Sequence, residues 1–156
     1  MMNEPEKILI DFHGCLTDGK MHIDATGAVM FESCHVRDSR AIRQLIAMGF
    51  EVVIVTASSN PIIDHYCKKL GCEKLTLRDK SKVPFNNFIA LGDDAWDMAM
   101  LTQAERAYCP ADADPRVQAL PKIRVLKTAG GHGVVAEMLG AELKISNSSL
   151  KLVLDN

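Results

Sequence analysis

A doubly wound parallel α/β sheet is the architecture these 156 residues predict. Short apolar runs such as Ile8-Leu-Ile10, Val52-Val-Ile-Val55 and Phe88-Ile-Ala-Leu91 stop at a polar or acidic residue, as strands buried on both faces do. Segments with helical apolar spacing separate them, and caps and stops fall at the joints. Strand and helix alternate along nearly the whole chain, which is the pattern of a sheet wound with helices on both sides.

Taken in order, Ile8 to Ile10 is the first strand and Asp11 ends it. Lys20 to Ser33 breaks the alternation. Gly19 and Gly27 stand beside alternating Met21, Ile23 and Val29, Phe31, which predicts a β-hairpin projecting from the sheet. Arg37 to Met48 is helical, with Ile42, Leu45 and Ile46 on one stripe and Gly49 as the stop. Glu51 to Thr56 is the second strand. Asn60-Pro61 then supplies a cap and a first-turn proline for a helix to Leu70. Lys74 to Leu77 and Phe88 to Leu91 are further strands, and residues 78–87 between them are too few for a full crossover helix. Gly92-Asp-Asp94 leads into a helix through Leu101. Arg106 to Cys109, a helix over Asp112 to Leu120, Ile123 to Leu126 and a helix over Gly131 to Leu143 complete the alternation. The expected organisation is one domain over 1–146 and a tail over 147–156.

Composition narrows the partners. Apolar residues make up 47% and the formal net charge is −2, so one core is affordable and no large basic surface invites nucleic acid or an anionic membrane. A small molecule is the expected ligand. Five cysteines without a Cys-x-x-Cys pair argue against a disulfide framework or a structural zinc site. The first residues lack the apolar stretch of a signal peptide, and no run reaches membrane-spanning length, so the chain is expected to be cytoplasmic.

Ligands of open α/β sheets bind beyond the carboxyl ends of the strands. Asp11 ends the first strand, Thr56 ends the second, Lys80 follows the third, and Asp93-Asp94 follow the fourth. Carboxylates for a hard cation, a hydroxyl donor and an ammonium are what phosphoryl transfer by positioning and charge neutralisation requires. Each alone has an ordinary explanation, an N-cap for the acids and a solvated loop for the lysine. Their order along the chain makes them informative together.

Asp11-x-x-Gly14-x-x-Thr17-Asp18, then Thr56, then Lys80, then Gly92-Asp-Asp-x-x-Asp97 resembles the haloacid dehalogenase superfamily of phosphatases. The hairpin, His35-Val-Arg-Asp38, Ala111-Asp-Ala-Asp-Pro115 and Gly130-Gly-His-Gly133 resemble its capless 3-deoxy-D-manno-octulosonate 8-phosphate phosphatase subgroup, from about Lys7 to Leu139. The resemblance implies Asp11 as a nucleophile that forms an aspartyl-phosphate. It implies Mg²⁺ held by Asp11, Asp93 and the backbone carbonyl of His13. Asp94 and Asp97 would support metal and lysine; otherwise they are helix N-terminal acids. Thr56 and Lys80 would bind the phosphoryl group, with Lys82 as the alternative lysine, and Ala57, Arg37, Asp38 and His132 would face the substrate. Arg37 and Asp38 are equally readable as a helix cap and its neighbour.

His13 stands where the family carries a second aspartate, the group that protonates the leaving alcohol and then deprotonates water. An imidazole can cycle a proton near neutral pH in the same way; the other reading is a site that has lost its acid/base. Ser58 and His132 stand where the family has arginines, and a guanidinium matches a carboxylate in bidentate fashion. That departure points away from the octulosonate phosphate itself. The expectation is a Mg²⁺-dependent phosphatase of a small phosphorylated sugar or sugar acid, the alternative a catalytically impaired module for oligomerisation or regulation. A phospho-acceptor receiver domain is excluded by order, since its acidic pair comes early in the chain. Subgroup members form tetramers through their hairpins. Met21, Ile23, Val29, Met30 and Phe31 would give this chain an exposed apolar surface suited to a homotetramer.

Overall fold

The computed structural model describes residues 4–146. The tail expected over 147–156 lies outside the described residues. Six strands form one parallel sheet: β1 (Lys7–Asp11), β4 (Glu51–Thr56), β5 (Glu73–Thr76), β6 (Phe88–Leu91), β7 (Arg106–Cys109) and β8 (Ile123–Val125), in the spatial order β5-β4-β1-β6-β7-β8. The hairpin strands β2 (His22–Ile23) and β3 (Val29–Phe31) pair antiparallel in a sheet of their own, as the glycine-flanked alternation predicts.

Side-chain alternation builds the layers. Ile8, Ile10, Ile54, Ile89 and Leu91 point to one face, where they pack on α1 (Val36–Ala47), α2 (Pro61–Leu70) and α5 (Val134–Ser146) through Ile42, Leu45, Ile63, Val135 and Met138. Leu9, Val53, Val55, Phe88 and Ala90 point to the other face, against Met100 and Leu101 of α3 (Met98–Gln103) and Val117 of α4 (Pro115–Gln118). Burial on both faces explains why these strands are apolar runs rather than alternating ones. β1 has β4 on one side and β6 on the other, so the winding reverses at β1 and a crevice opens at its carboxyl end, at Asp11.

Local chemistry sets the boundaries. Asn60 accepts a hydrogen bond from the Ile62 N–H at 3.0 Å and Pro61 fills the first turn of α2. The His35 Nδ1 accepts from the Arg37 N–H at 3.0 Å, so α1 starts one residue earlier than expected. Two helices are corrected. The helix expected from Asp112 begins only at Pro115, because Asp114 caps it by accepting from the Arg116 N–H. The helix expected from Gly131 begins at Val134, since Gly131 and Gly133 hold φ of 78° and 106°, and it runs on to Ser146. After Asp94 the chain makes a 3₁₀ turn over Ala95–Asp97 before α3. Residues 78–87 hold only a 3₁₀ turn at Lys80–Lys82, as their number dictates.

Two buried acids fasten α5. Asp38 of α1 accepts from the Val135 and Ala136 N–H groups at 2.9 and 3.2 Å. Glu142 takes a bidentate bond from Arg106 and the Tyr108 hydroxyl, tying the helix to β7. The hairpin leaves Met21, Ile23, Met30 and Phe31 more than half exposed.

Candidate active site

The chain leaves the buried strand β1 at Asp11 and turns sharply over residues 12–16, with Gly14 at φ 86°. A Cβ at Gly14 would lie 1.8 Å from Asp93 Oδ2, so only glycine lets the two loops meet there. The Thr17 hydroxyl pins the turn by accepting from the Gly14 and Gly19 N–H groups. The Gly130-Gly131 segment lies directly on it, with the Gly131 N–H donating to the Cys15 carbonyl at 2.8 Å.

Four of the expected residues converge. Lys80 is 5% exposed; its Nζ donates to Asp11 Oδ1 at 2.8 Å and also to Asp97 Oδ1. Lys82 lies at the surface against Asp79, so the shortened loop delivers Lys80 and not its neighbour. Asp97 is fully buried, and its Oδ2 accepts from the Asp93 and Asp94 N–H groups at 2.9 and 3.2 Å. It thereby joins lysine to the acidic loop. Asp94 caps the 3₁₀ turn by accepting from Trp96 N–H, its ordinary reading. Thr56 is buried and its Oγ1 accepts from the Ser58 N–H at 3.1 Å.

Charge is unbalanced in this cluster. Burial raises the Asp11 carboxyl well above its usual range; Asp97 and Asp93 add to this while Lys80 opposes it. Asp93 is pushed up to about 7, mainly by burial, with Asp11 opposing and Asp97 and Asp94 adding to the rise, and its Oδ1 is buried without a hydrogen-bond partner among the described residues. Burial would lower the Lys80 ammonium, but Asp11 and Asp97 more than offset it and raise it. Carboxylate oxygens crowded around an orphaned acceptor suit a hard divalent cation. Asp11, Asp93 and Cys15 place one ligand atom each within 4.8 Å of one another. The Cys15 thiol is held protonated by burial and by the same acids, so the oxygens and not the sulfur are the fitting donors.

His13 is part-exposed, with its Nε2 2.6 Å from Glu32 Oε1 and its ring edge-on to Phe12 at 5.2 Å. The contact with Glu32 lacks hydrogen-bond alignment, and neither Glu32 oxygen has a hydrogen-bond partner among the described residues. Glu32 is the residue that sequence reasoning missed. It carries no motif, and only the return of the hairpin brings it to His13.

The remaining expected residues disperse. Asp38 is fully buried and accepts from N–H groups of α5, away from a substrate, while the cap at the start of its own helix is His35. Arg37 is exposed at the start of α1. His132 is exposed on the loop that covers the Gly14 turn, with its Nδ1 2.8 Å from the Gly130 carbonyl. Ala57, next in the chain to Thr56, lines a cavity of about 290 Å³ with Arg78 and Trp96.

No family model matches the chain. It is 29% identical over 154 residues to the 3-deoxy-D-manno-octulosonate 8-phosphate phosphatase KdsC of Haemophilus influenzae, covering 91% of this chain and 84% of that protein. It is 24% identical to N-acylneuraminate cytidylyltransferase B of Danio rerio over 87% of this chain and 35% of that enzyme, and so spans about a third of its length. Among solved structures, the cobalt-bound deoxy-D-mannose-octulosonate 8-phosphate phosphatase of Haemophilus influenzae superposes with a TM-score of 0.86 at 26% identity, covering 98% of this chain and 94% of that one. The Moraxella catarrhalis 3-deoxy-D-manno-octulosonate 8-phosphate phosphatase, in complex with magnesium, phosphate and KDO, shares the fold with a TM-score of 0.83 at 22% identity, covering 92% and 88%.

Proposed function

We propose, for a chain that belongs to the haloacid dehalogenase superfamily of phosphoric monoester hydrolases, that it hydrolyses a small phosphorylated sugar or sugar acid with Mg²⁺ through an aspartyl-phosphate. The observation that carries this reading is Asp11 at the switch point of the sheet, one oxygen held by Lys80 and Asp93 alongside. Asp11, Asp93 and the backbone carbonyl of residue 13 would hold the cation, and when bound it neutralises phosphoryl charge so that a carboxylate can approach a dianion.

Lys80 fixes Asp11 Oδ1 and leaves Oδ2 to attack phosphorus. As that P–O bond forms, the bond to the sugar oxygen breaks, and His13 gives a proton to the departing alkoxide. In the second step His13 takes a proton from water, the hydroxide attacks the aspartyl-phosphate, and Asp11 returns with release of inorganic phosphate. Thr56 donates to a phosphoryl oxygen throughout. The cavity lined by Ala57, Arg78 and Trp96 offers the sugar a guanidinium and an indole face, and its volume of about 290 Å³ suits a small polyol. His132 faces the substrate from the covering loop. We place assembly at the hairpin, whose exposed Met21, Ile23, Met30 and Phe31 support a homotetramer.

A panel of sugar phosphates with Mg²⁺ tests the reading. Metal-dependent release of phosphate by the native chain, absent in Asp11→Asn, is the expected result. No turnover together with no trapped phosphoenzyme in the native chain would overturn it.

A further inference from the structure

We infer that Glu32 is a positioning residue for His13: its carboxylate holds the imidazole through Nε2 and presents Nδ1 to the oxygen of the scissile ester. The inference rests on the phosphatase reading above and deepens it by stating which ring nitrogen works and what holds it there.

Glu32 is unlike the other buried acids. Asp97 and Asp38 each accept from two backbone N–H groups, and Glu142 accepts from Arg106 and Tyr108. Those acids are satisfied by the fold. The Glu32 side chain is only 1% exposed, yet neither of its oxygens has a hydrogen-bond partner among the described residues. A carboxylate withdrawn from water without partners destabilises the fold, so a purely structural reason for it is lacking. Glu32 makes an ion-pair contact with the His13 ring, 2.6 Å away, and its charge also raises the Cys34 thiol.

The geometry of the ring follows. The Phe12 ring meets the imidazole at 90° from one side and Glu32 faces Nε2 from another, so the ring is held between an aromatic ring and a carboxylate. A carboxylate oxygen accepts, so it keeps a proton on Nε2; Nδ1 carries the proton given to the leaving oxygen when the ring is doubly protonated and, once that proton is given, the lone pair that takes one from water. With Nε2 taken up by Glu32, Nδ1 is the nitrogen left for a substrate oxygen. The present contact is close but poorly aligned, as such contacts often are before a substrate closes the site. The replacement of an acid by His13 is thus matched by an acid supplied from the hairpin, two chain segments away.

The test combines kinetics with a direct view of the ring. In ¹⁵N spectra of labelled protein with neutral imidazoles, assigned with a His13→Ala control, His13 should appear as the Nε2–H tautomer, and Glu32→Leu should shift it to a mixture. With Mg²⁺ and the sugar phosphate that the native chain hydrolyses fastest, Glu32→Leu should lower kcat by about 10- to 100-fold and change KM by less than about threefold, within the range expected of acid–base catalysis. Glu32→Gln keeps an acceptor oxygen and should fall between the two; it also serves should the leucine variant fail to fold. In a His13→Asp background there is no ring to hold, so Glu32→Leu should leave kcat unchanged or raise it. An equal loss in both backgrounds, or a His13 spectrum indifferent to position 32, overturns the inference. Absence of turnover in the native and His13→Asp proteins would instead overturn the phosphatase reading, while the spectra still decide the Glu32 contact.

Discussion

Asp93→Asn should make the metal-free protein more stable at pH 8 and should do so only above the acid range. The Asp93 carboxyl is raised from 3.8 to about 7, chiefly by burial, with Asp97 and Asp94 adding repulsion. A folded-state value above the unfolded one means the folded chain holds the proton more tightly. Stability from this group is therefore complete below about pH 4 and is lost as pH rises through about 7. At about 1.36 kcal/mol per tenfold, the full shift corresponds to about 4 kcal/mol; partial exposure and screening reduce this to about 2–4 kcal/mol. Asparagine removes the charge, keeps the shape and can donate to Asp11. Thermal melts in a chelator should place the variant about 5–15 °C above the native chain at pH 8, at roughly 2–4 °C per kcal/mol for a chain of this size. The gap should close at pH 4. Magnesium at 100 times its dissociation constant should return about 2.7 kcal/mol to the native chain and little to the variant. A variant no more stable than the native chain at pH 8, or a gap that ignores pH, would refute the view that Asp93 is held ionised at the expense of the fold for the sake of a cation.

Lys80→Met leaves Asp11 and the fully buried Asp97 without their counter-charge and should cost about 3–5 kcal/mol, read by denaturant unfolding, with part regained at low pH as the acids protonate. Gly130→Ala and Gly140→Ala should have opposite signs in the same assay. A Cβ at 130 would lie 1.8 Å from the Gly14 carbonyl oxygen and should cost about 2 kcal/mol or more, whereas one at 140 meets nothing within 4 Å and should add roughly 0.5–1 kcal/mol to α5. Arg106→Ala strips the bidentate partner from Glu142 and should cost about 2–3 kcal/mol, with the loss smaller in a Glu142→Gln background.

The strands were legible because burial on both faces forces continuous apolar runs, and Phe88–Leu91 and Arg106–Cys109 fall where the pattern puts them. Asn60-Pro61 marked the start of α2 because cap and first-turn proline are both local effects. Asp114-Pro115 carries the same local signal, and the helix starts there rather than at Asp112. Asp11, Lys80, Asp93 and Asp97 could be grouped because each follows a strand end and strand ends share one rim of the sheet. Asp38 bridging to Val135 and Glu32 meeting His13 were beyond reach. Both depend on where a segment returns in space, and neither leaves a period or a spacing along the chain.

Glu32 rides on the departing edge of the two-stranded arm whose outer side chains, Met21, Ile23, Met30 and Phe31, stand in the open. The arm is hydrogen-bonded to itself and not to the main sheet. Anything that grips its apolar side would also set where the carboxylate rests against the imidazole, so under the proposals above assembly and proton transfer would share one lever.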